Sequence, residues 1–198
     1  MPFVEPVTLA GRHATLLPLA REHEAALKAA AADGELWRLW YTGVPAPEKT
    51  AAWIETALAM RENQGAMPFV IRDNATGAIV GSTRYFNVEA EHRRLEIGHT
   101  WHARRAQRTG VNTECKLLLL THAFETLRCI AVEFRTNFFN FQSRAAIERL
   151  GAKQDGVLRN HQVLRDGTLR DTVVFSIIAT EWPAVKRHLA FRLDRAGR

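Results

Sequence analysis

The stretch that most constrains this chain runs from Arg94 to Arg135. A strand-like run, Arg94-Leu95-Glu96-Ile97-Gly98-His99-Thr100-Trp101-His102, leads to a glycine-bearing turn, Gln107-Arg108-Thr109-Gly110-Val111-Asn112-Thr113. A helical run follows over roughly 111–127, then a second strand-like run, Ile130-Ala131-Val132-Glu133-Phe134-Arg135. Strand, long helix, strand is a β–α–β unit, and it predicts two parallel strands joined by a right-handed crossover. The turn feeds straight into a helix N-terminus, whose first backbone N–H groups have no partner inside the helix. Those donors and the positive end of the helix dipole form a site for phosphate or pyrophosphate. Gly110 keeps a side chain out of the anion's way, and Arg104, Arg105 and Arg108 surround the turn with positive charge. The same residues also suit a plain connection with solvated arginines, and the turn alone does not choose between the two.

The remaining pattern places this unit in a larger sheet. Residues 13–19 read as a strand and 22–32 as an alanine-rich helix. An aromatic segment, Leu36 to Tyr41, stops at Gly43, Pro45 and Pro47. A second helix is predicted over 48–62, with Trp53, Ile54, Ala57 and Leu58 on one face. Residues 67–72 and 78–87 read as strands around the turn Asn74-Ala75-Thr76-Gly77. After the β–α–β unit come a short helix over 143–150, ended by Gly151, and strands over 157–164 and 169–178. The latter flank Arg165-Asp166-Gly167-Thr168, whose Asp-Gly pair signals a hairpin. Thr180 is placed to cap a last helix with Pro183 in its first turn. The expected fold is α/β (α+β): one domain over residues 1–198 on a mixed central sheet.

At 198 residues the chain suits one domain with a sizeable core. The net charge of +6 and pI of about 9.9 favour an anionic ligand. The arginines are scattered, and no nucleic-acid-binding motif stands out, so direct nucleic-acid binding is not expected. Cys115 and Cys129 lack partners at metal-ligand spacing, so no metal site is expected. Inert thiols in a reducing, cytoplasmic setting are expected instead. Met1-Pro2-Phe3-Val4-Glu5 has no basic flank and no apolar run, so a signal peptide is not expected, nor is any apolar run long enough for a membrane.

A second informative stretch, Asn137 to Ala152, follows the second parallel strand. Asn140 and Ser143 lie at the strand's C-terminal end, where open α/β sheets place ligands. An Asn amide offers a donor and an acceptor to an amide-containing ligand. Ser143 either donates a proton or caps the helix it precedes.

Together the two stretches resemble the GNAT superfamily of acetyl-CoA-dependent N-acetyltransferases. Its signature turn, Gln/Arg-x-x-Gly-x-Gly/Ala, is met at Gln107 and Gly110, while Asn112 replaces the usual small residue. The likeness is greatest to the branch of ribosomal-protein N-terminal acetyltransferases of RimJ and RimL type. It rests on Glu96-Ile97-Gly98, the turn, the run Asn140-x-x-Ser143-x-x-Ala146-Ile147-x-x-Leu150-Gly151-Ala152, and the terminal hairpin.

The resemblance implies a sheet splayed between its two parallel strands, with helices on both faces. It implies acetyl-CoA as cosubstrate, with backbone groups of Trp101, His102 and Ala103 on the pantetheine amides. The turn Gln107, Arg108, Thr109, Gly110, Val111, Asn112 and Thr113 would hold the pyrophosphate. Asn140 would face the pantetheine arm, Ser143 the sulfur, and Arg144 would either reach a phosphate or stay solvated. The chemistry, attack of a neutral amine on a thioester, needs a base for the amine proton and an acid for the thiolate. Glu96 is the first candidate base, against a structural carboxylate paired with Arg84 or Arg94; His99 and His102 come next. Strand alternation sets His99 on the face opposite Glu96. The only tyrosines are Tyr41 and Tyr85, neither in the terminal segment where this family often keeps its acid, which leaves Ser143 or no dedicated acid. Trp37, Trp40 and Tyr41 would border the acceptor, either a small-molecule amine or a peptide, with a ribosomal protein among the candidates. A homodimer fits the same picture. A catalytically weak CoA-binding regulatory domain is the alternative function.

Overall fold

Strand side chains alternate between two faces, so the apolar alternation fixes which residues point inward and in what register. In a computed structural model, which describes residues 2–164 and 166–196, eight strands form one sheet. They are β1 (Leu9–Ala10), β2 (Ala14–Pro18), β3 (Met67–Asp73), β4 (Ile79–Glu89), β5 (Arg94–His102), β6 (Ala131–Asn137), β7 (Lys153–Val163) and β8 (Leu169–Ile178). Their spatial order is β1-β2-β3-β4-β5-β6-β8-β7. Every neighbouring pair is antiparallel except β5 and β6, the two strands of the β–α–β unit.

The helices are α1 (Glu24–Ala32), α2 (Thr50–Gln64), α3 (Gly110–Thr121), α4 (Phe141–Glu148) and α5 (Trp182–Ala196). Two adjacent residues of β4 show how they cover the sheet. Arg84 turns toward α2, with its guanidinium 5.0 Å from the Trp53 ring. Tyr85 turns the other way and donates its hydroxyl to the Leu119 carbonyl of α3 at 2.6 Å. The sheet therefore has an α2 face and an α3 face. On α3, Val111, Cys115 and Leu119 recur every four residues and are buried, as a helix with one apolar stripe requires. Burying such side chains stabilises the fold by roughly 1.5–3 kcal/mol each.

Several boundaries differ from the sequence reading. The alpha-helical part of α3 ends at Thr121, and a π-helical turn, His122–Thr126, completes the predicted run. The short helix covers 141–148, not 143–150, because Asn140 caps it: its side-chain Oδ1 accepts the Ser143 N–H at 3.0 Å. Ser143 is thus inside the helix and is not its cap. Gly151, with φ of 100°, follows the helix as expected. Glu181, not Thr180, immediately precedes α5. The hairpin of β7 and β8 forms with β7 starting at Lys153; of its predicted loop, Arg165 lies outside the described residues.

The parallel ladder is short. It pairs Arg94 with Ala131, Leu95 with Val132, and Glu96 with Glu133. Beyond these residues β5 runs on to His102 and β6 to Asn137 without pairing to one another, so the strands part and leave a gap. A bulge accompanies the parting. Arg84 faces Gly98 but Ser82 faces Trp101, so two residues of β5, His99 and Thr100, stand opposite Thr83 alone. His99 takes φ of 49°, and a bulge of this kind bends its strand and increases twist.

Candidate active site in the strand gap

The bulge overturns the expected placing of His99. Its ring packs on Phe86 at 4.9 Å between centroids, and Phe86 is the cross-strand partner of Glu96. His99 and Glu96 therefore share the α2 face, because the extra residue resets the alternation. His99 keeps an exposed surface; partial desolvation of its ring, with the charges of Arg84 and Arg170, lowers its pKa to about 3. His102 lies on the α3 face, where its Nε2 is 3.0 Å from Asn112 Oδ1. Burial, with the charge of Lys116, pushes His102 down to about 4. Both imidazoles are neutral near pH 7.

Glu96 is 3% exposed. Its Oε2 accepts from Asn87 Nδ2 at 2.9 Å and lies 3.4 Å from Arg135 Nε. The alternative of a structural carboxylate names Arg84 or Arg94 as its partner. Instead Arg94 pairs with Glu133, and Arg135 bridges both carboxylates, bonding Glu133 at 2.8 Å. The other oxygen, Oε1, has no protein donor among the described residues and faces Gly98; a Cβ there would stand 3.5 Å from it. Burial raises the Glu96 pKa to about 7, against the pull of Asn87 and Arg135. A cavity of about 420 Å³, lined by Gln64, Asn87, Val88, Glu89 and Arg135, opens beside the two residues that hold Oε2.

The glycine turn sits at the far end of β5. Thr109 caps α3, its Oγ1 accepting the Val111 N–H at 3.2 Å. With Thr109 as the cap, the first bond inside the helix falls to the Thr113 N–H. That leaves Arg108, Thr109, Gly110 and Asn112 as the open donors, a smaller set than the whole run from Arg108 to Thr113. Gly110 turns its missing side chain toward His13, just before β2, whose ring a Cβ would meet at 3.3 Å; the glycine answers to His13 as much as to an anion. Arg105 is paired with Asp33 at 2.9 Å, so the free charge at the turn comes from the exposed Arg104 and Arg108. Gln107 donates to the His102 carbonyl at 3.2 Å and ties the turn to β5. Asn112, departing from the small residue of the motif, secures buried His102.

The loop from β6 to α4 faces the aromatic segment. Trp40, 55% exposed, lies 5.8 Å from Phe139 and 5.5 Å from Tyr41. Trp40 thus borders the end of the gap and is not packed on the sheet, whereas Trp37 is half-buried under Arg38. Arg144 is held over Phe138 and Phe141 and donates to the Phe138 carbonyl. Ser143 Oγ has no protein hydrogen bond among the described residues. Tyr85 is fully buried and bonded to Leu119, its hydroxyl pushed well up by burial, so it has no access to the gap.

Four contributors were not legible beforehand. Arg135 and Glu133 stand two apart on β6 and so share a face, but only the register sets them beside Glu96. Asn137 is 2% exposed with Nδ2 unpartnered. Lys116 lies in an apolar helical run that gives no hint of a polar role.

The gap suits a long amide-bearing chain ending in phosphates. The facing edges of β5 and β6 are free of one another beyond Glu96 and Glu133, the buried Trp101 Nε1, His102 Nδ1 and Asn137 Nδ2 lack partners among the described residues, and an open helix N-terminus stands at one end. Backbone groups of Trp101, His102 and Ala103 lie on the strand that ends there, although the Ala103 N–H is already given to Val80 and the His102 carbonyl to Gln107. Among the described residues no cluster of His, Cys, Asp or Glu could hold a metal, and no helix is long and apolar enough to cross a membrane. Both cysteines are buried, which pushes Cys115 up to about 12 and Cys129 to about 11.

Residues 13–153 match the acetyltransferase (GNAT) domain, and the chain belongs to that family. It is 31% identical over 110 residues to YdaF of Bacillus subtilis (strain 168), a candidate ribosomal N-acetyltransferase, over 56% of this chain and 59% of YdaF. The chain thus spans less than two thirds of that relative's length. A crystal structure of a candidate acetyltransferase from T. thermophilus is similar at TM-score 0.84 and 36% identity, over 96% of this chain and 98% of that one. RimJ of Mycobacterium smegmatis, in complex with CoA-disulfide, shares the fold at TM-score 0.75 and 23% identity, over 94% of this chain and 92% of RimJ. The name of YdaF agrees with the resemblance to the RimJ/RimL-type branch, and the likeness to RimJ shows the shared fold.

Proposed function

We propose that this chain moves an acetyl group from acetyl-CoA to a primary amine, with Glu96 as the base. The observation that carries the reading is the state of Glu96: a buried carboxylate at the parting of β5 and β6, with one oxygen held, one free, and a pKa of about 7. A base works best when its pKa is near the working pH. Burial that raises a carboxylate this far is common at functional sites.

Acetyl-CoA supplies the activated acetyl group. The chain's residues do the rest. The open N–H groups at the turn, with Arg104 and Arg108, hold the phosphates. The free edge of β5 and the amide of Asn140 orient the arm. Asn87 and Arg135 fix Oε2 of Glu96, so that Oε1 accepts the proton of the attacking amine, directly or through one water. Ser143 Oγ, free of other bonds, donates to the leaving sulfur. Trp40 and Tyr41, with Phe139, make an exposed aromatic rim suited to a peptide acceptor. The name of YdaF supports the N-terminus of a ribosomal protein as that acceptor.

The test is thiol release from acetyl-CoA by the purified protein against small amines, polyamines and N-terminal peptides of ribosomal proteins. Turnover with a peptide and loss of it in Glu96→Gln support the reading. CoA binding with no turnover on any amine favours a regulatory CoA-binding domain.

A further inference from the structure

Lys116 is 6% exposed, on the second turn of α3. Its ammonium donates to Thr100 Oγ1 at 2.7 Å and lies 5.9 Å from the centre of the Phe134 ring. Thr100 is on β5 beyond Glu96, and Phe134 is on β6 beyond Glu133. The ammonium therefore reaches across the strands where they no longer pair. No carboxylate among the described residues forms an ion pair with it. An ammonium carries three donors, and only the one to Thr100 is used within the described residues. Thr100 is in turn joined to Thr83 at 2.8 Å, which anchors this single bond to β4. A buried cation with spare donors is costly unless something accepts them. Burial accordingly lowers its pKa to about 8.

We propose that Lys116 is a cofactor-positioning residue, which donates from the α3 face to an amide carbonyl oxygen of the pantetheine arm lying between β5 and β6. This rests on the acetyl-CoA reading above and adds to it a side-chain contact from the helix, distinct from the backbone edge of β5 and from the phosphate turn. The arm, unlike the nucleotide, carries amide carbonyls, which are the acceptors the ammonium lacks. Phe134 would cover the apolar part of the same arm, and Thr100 would keep the ammonium aimed at the gap.

The test measures, by titration calorimetry, the binding of CoA and of adenosine 3′,5′-bisphosphate, which has the nucleotide and two of the three phosphates of CoA but no arm. The proteins are wild type, Lys116→Met and Lys116→Gln. Losing one charged hydrogen bond should weaken CoA about tenfold or more, with the bisphosphate unchanged within about twofold. Lys116→Gln, which keeps a donor on a shorter stem, covers the case in which Lys116→Met does not fold and should show the same selective loss. Equal losses for both ligands would mean that α3 and its turn have shifted, and unchanged CoA affinity would mean that the arm does not meet Lys116; either overturns the proposal. Failure of the wild type to bind either ligand would instead reject the acetyl-CoA reading, and this proposal with it.

Discussion

Glu96 and Glu133 form the last rung of the parallel ladder between β5 and β6, two carboxylates side by side where the strands part. Arg135 bonds both, and Arg94 holds Glu133 from the other side. Glu133 is therefore fully engaged, while Glu96 keeps Oε1 free. Burial, and to a smaller degree the neighbouring Glu133, raises Glu96 toward neutrality.

Glu96→Gln keeps the shape of the side chain and removes the base. Turnover should fall about a hundredfold or more, with CoA affinity retained. The wild-type rate should decline as pH drops through about 7, where Glu96 takes up its proton, and this limb should be missing from the variant. Superimposable pH–rate profiles would make Glu96 a structural carboxylate.

The same shift predicts a stability effect. The folded pKa of Glu96, about 7, lies above its ordinary 4.5. Between these values the folded chain holds a proton that the unfolded chain has released. Glu96 therefore makes stability fall as pH rises from about 4.5 to about 7. Thermal melts should show Glu96→Gln gaining on the wild type at pH 8 relative to pH 4.5. A constant difference across that range would contradict the shift.

Arg135→Gln removes the cation shared by the two carboxylates. Glu96 should then hold its proton to still higher pH, and the acid limb of the rate profile should move up. Since an opposite charge at this range shifts a carboxylate by about 1–3 pKa units, the move should be clear of experimental error. An unmoved limb would separate Arg135 from the base.

Asn140 and Ser143 should part company. Asn140 caps α4, so Asn140→Ala should cost about 1 kcal/mol of stability and weaken CoA as well. Ser143 lies inside the helix with its hydroxyl unbonded, so Ser143→Ala should leave the melting temperature unchanged and lower turnover. Paired melts and thiol-release rates decide this, and a Ser143→Ala protein of full activity would remove Ser143 as the acid.

Gly110→Val should lose most of the thermal stabilisation by CoA, but through His13. The added side chain meets the His13 ring, which a Cβ alone would approach to 3.3 Å. Gly110→Ala should therefore be better tolerated when combined with His13→Ala than alone. An equal loss in both backgrounds would return the cause to the anion itself.

Much of the architecture was legible in the residues. The span of β5 was read from its sequence, and the β–α–β order of 94–135 fixed its parallel partner, because a strand followed by a long helix cannot return as a hairpin. Glu96, Asn140 and Ser143 stood out by residue type and place in a motif. The cap of α4 was misassigned because Asn140 and Ser143 both favour helix starts, and only the backbone turn at Asn140 decides between them. His99 was set on the wrong face because alternation assumes an unbroken strand, and the bulge opposite Thr83 depends on how β4 pairs.

The sequence by itself determined the order of strands and helices from β2 onward, but not β1 (Leu9–Ala10), together with the glycine turn at the start of α3 and the family to which the chain belongs. These rest on local chemistry: periodicity, turn residues and capping groups close together in the chain. The tertiary structure alone decided that Arg135, two residues beyond Glu133, would hold Glu96, that β5 and β6 would separate beyond the Glu96–Glu133 rung, and that Lys116 would span the gap they leave. Each joins residues far apart in sequence through strand register and helix packing, and the charge state of Glu96 follows from burial that no single segment of the chain carries.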